Sequence, residues 1–281
     1  PEADGGLGMG TVETAVLLEE LGRHVAPVPY LQSALALGAL HRAGRSDWVE
    51  RLLAGDVIGT VAAHPAALTI ASPLADVAVV IDHDGLTLLD LTGRRPAREP
   101  AMDLTRPLGW LAADDGERIG GRPDAEQLLD RAAAGHAAEM LGAASRVLDM
   151  AVSYAKEREQ FGQPIGSFQA VKHRCADMVV DVEGMRSSVY YAAWCIGAGH
   201  PEASIAASTA KVWCSDAAKR VMASGLQVHG GIGFTWEHDL HLYLKRSQLD
   251  QVSFGDAAAH RDRLARLLRA RVEAGEGVVS S

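Results

Sequence analysis

From Asp124 almost to the C-terminus, apolar residues recur at helical spacing with only short interruptions. Asp124 is expected to cap the first helix, with Gln127 reaching back to it, and Ser167 is expected to cap the second. The predicted helices cover Asp124 to about Glu157, Ser167 to Gly197–Gly199, Pro201 to about Gly225, a shorter stretch through Tyr243, and Ala257 to Val272. Because long helices with short connections pack against their sequence neighbours, the pattern predicts an antiparallel four-helix bundle.

The preceding part of the chain changes character near residue 56. Three short helices are predicted before it, over Thr11–Val25, Leu31–His41 and Trp48–Leu53. After it come β-branched runs at Val57–Ala63 and Val77–Ile81, and the turn His83–Gly85 leads into Leu86–Leu91 as in a hairpin. We therefore predict an α+β fold with an N-terminal helical part (1–55), a small middle β-domain (56–121) and a C-terminal helical bundle (122–281).

Composition excludes several classes of function. The 281 residues carry a net charge of −9, which argues against a nucleic-acid groove or an anionic membrane surface. No apolar run approaches the roughly 20 residues that a membrane helix needs. The cysteines at 175, 195 and 214 are spaced for reduced core thiols rather than for disulfides or zinc, so a cytoplasmic protein is expected.

The first motif with chemical content is Arg158-Glu-Gln-Phe-Gly-Gln-Pro-Ile-Gly-Ser-Phe-Gln169. An arginine at a helix end can bind a diphosphate through bidentate, charge-assisted hydrogen bonds. Phe161 offers an apolar face, Gly162 permits a close backbone approach, and Gln169 can donate from the next helix. The alternative is an ordinary helix–turn–helix with a surface arginine.

The second motif is Gln227-Val-His-Gly-Gly-Ile-Gly-Phe234. Consecutive glycines after a helix allow backbone N–H groups to face an anion without a Cβ in the way. The alternative is that Gly230 and Gly231 serve only to turn the chain.

Together these motifs resemble the flavin-binding C-terminal domain of the acyl-CoA dehydrogenase family. The resemblance implies the family fold and an FAD held between two subunits. It also implies a set of FAD-binding residues: Arg158, Phe161, Gln169, Gln227, Gly230 and Gly231. Family members usually begin with further helices and have a longer β-domain, so we expect such segments to be missing from this sequence.

The sequence departs from the family where the catalytic base is expected. The usual glutamate, which removes the α-proton of the acyl-CoA, aligns with Phe254, and the alternative position on the first long helix aligns with Ala132. Neither residue accepts a proton. Asp256 stands two positions from the expected base, where capping of the last helix explains it better than catalysis. Glu139, two turns beyond Ala132, is interpreted as structural.

Three histidines, at 229, 238 and 241, lie close together in the sequence, but the resemblance implies no metal, and we predict none. The motif Gly233-Phe-Thr-Trp-Glu-His-Asp-Leu-His241 is similar to that of actinobacterial α2β2 acyl-CoA dehydrogenases of steroid side-chain catabolism. This resemblance implies a non-catalytic subunit that contributes half of an FAD site. The partners it implies are a homologous catalytic subunit, which holds most of the acyl-CoA, and an electron-transfer acceptor.

Two alternatives remain open. The chain could be a stand-alone flavoenzyme with Asp256 as base, similar to a nitroalkane oxidase or flavin monooxygenase. It could also be an assembly partner that binds no flavin. The acyl-CoA substrate is not defined by the sequence.

Overall fold

The computed structural model describes residues 5–64, 66–112, 115–275 and 277. The chain forms two compact units, one comprising the chain up to Ala26 together with everything from Ala133 onward, the other spanning Pro27–Ala132. The three-part division given above follows secondary-structure class rather than contacts, and it stays a prediction.

The Pro27–Ala132 unit combines two helices with a small sheet. Its helices are α2 (Tyr30–Arg42) and α3 (Ser46–Ala54), and its strands are β1 (Gly59–Ala62), β2 (Ala66–Ile70), β3 (Val77–Asp82), β4 (Gly85–Asp90), β5 (Leu108–Ala112) and β6 (Glu117–Gly121). One sheet has the order β1-β3-β4-β6, and β2 pairs with β5 in a separate antiparallel ribbon. The predicted hairpin is confirmed as β3–β4, with Asp82 opposite Gly85. Alternating Ala, Val and Leu side chains of these strands form the buried core of the unit.

The other unit is helical. It contains α1 (Thr11–Arg23), most of α4 (Arg122–Glu157), α5 (Gln169–Gly197), α6 (Ala203–His229), α7 (Leu240–Val252) and α8 (Ala257–Glu273). Consecutive helices α5 and α6 contact each other, and α6 also contacts α7 and α8. The predicted acyl-CoA dehydrogenase fold, with N-terminal helices, a small β-domain and a C-terminal helical bundle, is confirmed.

Two glycines let α1 and α4 approach backbone to backbone. A Cβ added at Gly22 would lie 2.1 Å from the carbonyl oxygen of Glu139, and one added at Gly142 would lie 1.8 Å from that of Glu19. No side chain fits at either distance, so this contact fixes α1 against α4.

Two predicted helix caps are wrong. The helix α4 begins at Arg122, and Asp124 lies inside its first turn, where its carboxylate accepts a hydrogen bond from the Gly121 N–H at 2.9 Å. Asp124 is thus the third residue of the helix, and from there its carboxylate pairs with the N–H of Gly121, the residue that precedes the helix. The Ser167 hydroxyl donates to the Pro164 carbonyl at 2.7 Å, and Phe168 precedes α5 without a side-chain cap.

Within the described part of the chain, every helix is too short or too polar to span a bilayer. Cys195 and Cys214 are buried as predicted, Cys175 is half-buried, and all three are free thiols.

Candidate functional site

The first motif folds into a tight hairpin at the end of α4. Two short strands, β7 (Glu159–Gln160) and β8 (Gln163–Pro164), pair antiparallel and leave Phe161 and Gly162 as the two-residue turn. Both turn residues have positive φ, 55° for Phe161 and 76° for Gly162. A left-handed conformation is unfavourable for phenylalanine. Nevertheless, the Phe161 side chain is 92% exposed, and its ring lies edge-on to that of Phe168 at 6.2 Å between centroids.

Arg158 joins α4 to this hairpin. Its backbone N–H donates to the Tyr154 carbonyl at 2.8 Å, and its own carbonyl accepts from the Ile165 N–H at 2.7 Å. The backbone is thus fixed on both sides while the guanidinium is exposed. Gln169 is the first residue of α5 and is also exposed, so both polar side chains face outward beside the positive end of the α5 dipole.

The second motif follows directly on α6. Gln227 lies exposed in the last turn of the helix, and residues Gly230–Phe234 form a 3₁₀ turn. Gly230 needs its freedom, since its φ is +62°. Gly231 does not, because its φ is not positive and an added Cβ would meet nothing within 4 Å. Among the described residues, no contact requires glycine at position 231.

The structure brings the two motifs to the same end of the bundle. Tyr154, one turn before Arg158, stacks on His229 at 4.8 Å between ring centroids. Arg174, on the first turns of α5, donates to the Ser224 hydroxyl of α6 at 3.5 Å. Residues 69 positions apart, Arg158 and Gln227, therefore belong to one surface.

The three neighbouring histidines contact aromatic rings. His229 packs edge-on against His238 at 4.6 Å, and its Nδ1 donates to the Gly225 carbonyl at 2.7 Å. Burial lowers the pKa of His229, which favours the neutral ring. His241 lies edge-on to Trp236 at 4.6 Å.

At the family's base position the side chain is buried and apolar. Phe254 is 7% exposed, has φ +56°, and packs against His136 with 5.5 Å between ring centroids. Its carbonyl accepts a hydrogen bond from His260 Nε2 at 3.0 Å. Burial lowers the pKa of His260 to about 4, so this imidazole is neutral at pH 7.

Asp256 caps the last helix, as predicted. Its carboxylate accepts the Ala259 N–H at 2.9 Å, and this hydrogen bond is the main cause that lowers its pKa below the ordinary value. A lowered pKa makes a weaker base. The other position, Ala132, is fully buried within α4.

A buried polar cluster behind Phe254 escaped the sequence reasoning. His136 Nδ1 lies 2.9 Å from Asp250 Oδ1 and 3.9 Å from Glu139 Oε2, all three residues being buried. Their ligand atoms lie within 4.8 Å of one another, a spacing that a metal ion could use. However, Lys211 donates to the backbone carbonyl of Asp250 at 2.6 Å, and Arg246 is buried one turn away from Asp250 on α7. These cationic groups offset the carboxylates, so the charges favour an ion network over a metal site.

Glu139 is buried in this cluster, and its structural role stays a prediction. Lys211 also donates to the Gln251 carbonyl at 2.9 Å, so its ammonium satisfies the C-terminal end of α7. Burial lowers the pKa of Lys211 to about 8. In the sequence these residues come from three separate stretches, around residues 136–139, 211 and 246–250, and no local pattern marks them as buried together.

Comparisons with known proteins identify the family of this chain. Residues 120–268 match the model of the acyl-CoA dehydrogenase C-terminal domain. The chain is also 41% identical to acyl-CoA dehydrogenase IpdE2 of Mycolicibacterium smegmatis, an alignment that covers 88% of this chain and 76% of that protein. This chain belongs to the acyl-CoA dehydrogenase family. Acyl-CoA dehydrogenase IpdE2 of Mycobacterium tuberculosis is 39% identical over 88% of this chain and 74% of its own length.

Solved structures agree with this assignment. The Tcur3481–Tcur3483 steroid acyl-CoA dehydrogenase variant superposes with a TM-score of 0.89, at 32% identity, and covers 97% of this chain and 85% of the other. The ChsE4–ChsE5 complex from Mycobacterium tuberculosis has a TM-score of 0.87 at 31% identity, over 96% of this chain and 83% of its own. The chain is thus a member of an oxidoreductase family and has the acyl-CoA dehydrogenase fold.

Proposed function

We propose that this chain is the non-catalytic subunit of an α2β2 FAD-dependent acyl-CoA dehydrogenase. It holds the diphosphate side of an FAD whose isoalloxazine lies in a homologous catalytic subunit. When bound, FAD would accept the β-hydride of the acyl-CoA while the partner's carboxylate removes the α-proton. Two observations together carry the proposal. The exposed side chains of Arg158, Phe161, Gln169 and Gln227 form the proposed flavin surface, and buried Phe254 occupies the predicted base position.

The flavin surface fits a ligand from outside the chain. Phe161 pays the cost of a left-handed conformation, on the order of 1 kcal/mol, for an almost fully exposed ring. Position 231 is a glycine although an added Cβ would meet no atom of the described residues within 4 Å. Both features have a reason if a cofactor or partner lies against them. The exposed guanidinium of Arg158 supplies the charge that a diphosphate needs.

The residue at the predicted base position supports the proposal that one subunit binds part of the FAD while the other removes the α-proton. A phenylalanine takes no proton, and the one nearby acid in the turn, Asp256, is engaged as a helix cap. The stand-alone flavoenzyme with Asp256 as base is therefore disfavoured, because that carboxylate would have to release the Ala259 N–H and overcome its lowered pKa.

The proposed partner and substrate class rest on the relatives. Two similar structures are each named for two proteins, the Tcur3481–Tcur3483 steroid acyl-CoA dehydrogenase and the ChsE4–ChsE5 complex. We accordingly propose a bulky, steroid-type acyl-CoA, bound mainly by the partner, and a separate protein as the electron acceptor. With one competent site per heterodimer, the tetramer would carry two FAD molecules. We place the complex in the cytoplasm.

The test is co-expression of this chain with a homologous acyl-CoA dehydrogenase that retains the family's glutamate. Native mass spectrometry should give an α2β2 complex with two FAD, and visible absorbance should show flavin bleaching on addition of a steroid acyl-CoA. The chain purified alone, loaded with FAD, should show no substrate-dependent bleaching.

Three other results would each reject a part of the proposal. A homotetramer with four flavins and no affinity for the homologue would contradict the heterotetramer. Turnover by the chain alone, abolished by Asp256→Asn, would establish the aspartate as a base. A colourless complex would identify an assembly partner without flavin.

A further inference from the structure

An aromatic platform stands directly after the glycine turn. Trp236 follows Gly231 by five residues and is 71% exposed. It is nevertheless held in place. The Lys245 ammonium lies 4.1 Å from the centroid of its ring, and His241 packs edge-on at 4.6 Å. A large exposed indole supported from within its own chain is a preformed stacking surface.

The surroundings select a neutral ring rather than a phosphate at Trp236. Glu237 and Asp239 follow it, and both are exposed carboxylates that repel an anion. Hydrogen bonding within the Thr235–Glu237 turn lowers the pKa of Glu237, so its charge persists well into the acidic range. Lys245, in contrast, places a cation over the tryptophan ring and polarises it.

We infer that Trp236 stacks on the adenine ring of an adenosine-diphosphate ligand whose phosphates lie against the Gly230–Gly231 turn. The inference rests on the proposed function, since it extends the same diphosphate surface. One ribose joins the adenine to the phosphates, so the ring site must be close to the phosphate site, and Trp236 follows the glycine turn by only five residues. FAD and coenzyme A both carry this moiety, and the experiment separates them.

The experiment uses the complex of this chain with its homologue, freed of flavin. FAD affinity is measured by flavin fluorescence, and ADP, coenzyme A and pyrophosphate are used as competitors. Trp236→Leu should weaken FAD and ADP about tenfold, because base–aromatic stacking is lost, while pyrophosphate competes as before. Trp236→Phe should recover part of the affinity, since it retains a ring.

A matched control is Trp194→Leu. Trp194 is an equally large, half-exposed indole stacked on Tyr191 at 6.2 Å, at the other end of α5. Its removal should leave all four affinities unchanged. Native mass spectrometry of each variant checks that the complex stays intact.

The outcomes are distinguishable. If only the affinity for coenzyme A falls in Trp236→Leu, Trp236 is confirmed as a stacking surface and its ligand is coenzyme A. Unchanged ADP, FAD and coenzyme A affinities in Trp236→Leu, with pyrophosphate still competing, overturn the platform but not the diphosphate surface. Dissociation of the Trp236→Leu complex overturns it in favour of a subunit contact. If neither pyrophosphate nor ADP competes with FAD, the diphosphate surface itself is wrong.

Discussion

Replacing Gly231 with alanine should weaken FAD binding without lowering the stability of the folded chain. Position 231 lacks a positive φ, and the added methyl group would meet nothing within 4 Å. In such a setting, alanine stabilises a protein by about 0.4–1 kcal/mol because it restricts the unfolded chain. If a diphosphate lies against this backbone, the same methyl group displaces it by a large part of an ångström. We expect FAD affinity to fall at least tenfold, roughly 1.4 kcal/mol.

Two other glycines provide matched controls. Gly38→Ala, on α2, would place its Cβ 3.7 Å from the Arg42 guanidinium, an ordinary contact, and should stabilise the chain without affecting FAD. Gly233→Ala would come within 3.1 Å of the His229 Cβ and 3.3 Å of Leu240, so it should destabilise the chain by about 1–3 kcal/mol.

The assay pairs urea unfolding of the isolated chain with FAD titration of the flavin-free complex. The expected pattern for Gly231→Ala is unimpaired stability with weakened binding. Unchanged FAD affinity would refute the reasoning, because it would mean that no ligand approaches the Gly231 backbone. A loss of stability as large as that of Gly233→Ala would show that position 231 is packed within the chain after all.

Three further predictions address the same surface and the turn at Phe254. Arg158→Ala should leave the chain folded but cost FAD binding about 2–5 kcal/mol, measured by titration of the complex, and Arg158→Lys should lose less. Phe161→Asn should raise the urea midpoint of the isolated chain, since Asn-Gly suits this hairpin turn, and lower FAD retention. Because the folded-state pKa of His260 is about 4, against 6.5 ordinarily, the unfolded chain binds more protons between these values. Stability should therefore fall by up to about 3 kcal/mol from pH 6.5 to pH 4, and less in His260→Gln.

The helices could be predicted from apolar periodicity, and most of their limits agree with the structure. The predicted helix from Thr11 is confirmed as α1, and the predicted ends near Glu157 and Gly197 are those of α4 and α5. One predicted helix end is wrong. The sequence predicts that a helix ends near Gly225, but α6 continues to His229. A Cβ at Gly225 would lie 2.4 Å from the Val147 side chain, so close packing, not termination, requires the glycine.

The two motifs of the proposed FAD surface can be recognised in the sequence because each is local, whereas the cluster behind Phe254 cannot. Arg158, Phe161 and Gln169 fall within twelve residues, counted from 158 to 169, so their spacing alone defines a pattern. His136 and Asp250 are separated by 114 residues and meet only through the tertiary fold. In the sequence, Lys211 and Asp250 read as solvated charges on helices, because burial of an ion depends on partners that no local pattern specifies.

The turn at Phe254 bears on the proposal that this chain leaves proton transfer to a partner. Its backbone is held as firmly as a catalytic segment requires, since His260 donates to the Phe254 carbonyl and Asp256 caps the helix that follows. Lys211 fixes the end of α7 just before it. The side chain at the predicted base position is buried and packs against His136. On the proposed function, the glutamate is lost but the turn that would carry it is kept. A subunit with this combination keeps the family's packing for assembly and leaves proton transfer to its partner. A chain that had abandoned the flavin altogether would have no use for the strained Phe161 or the bare backbone at Gly231.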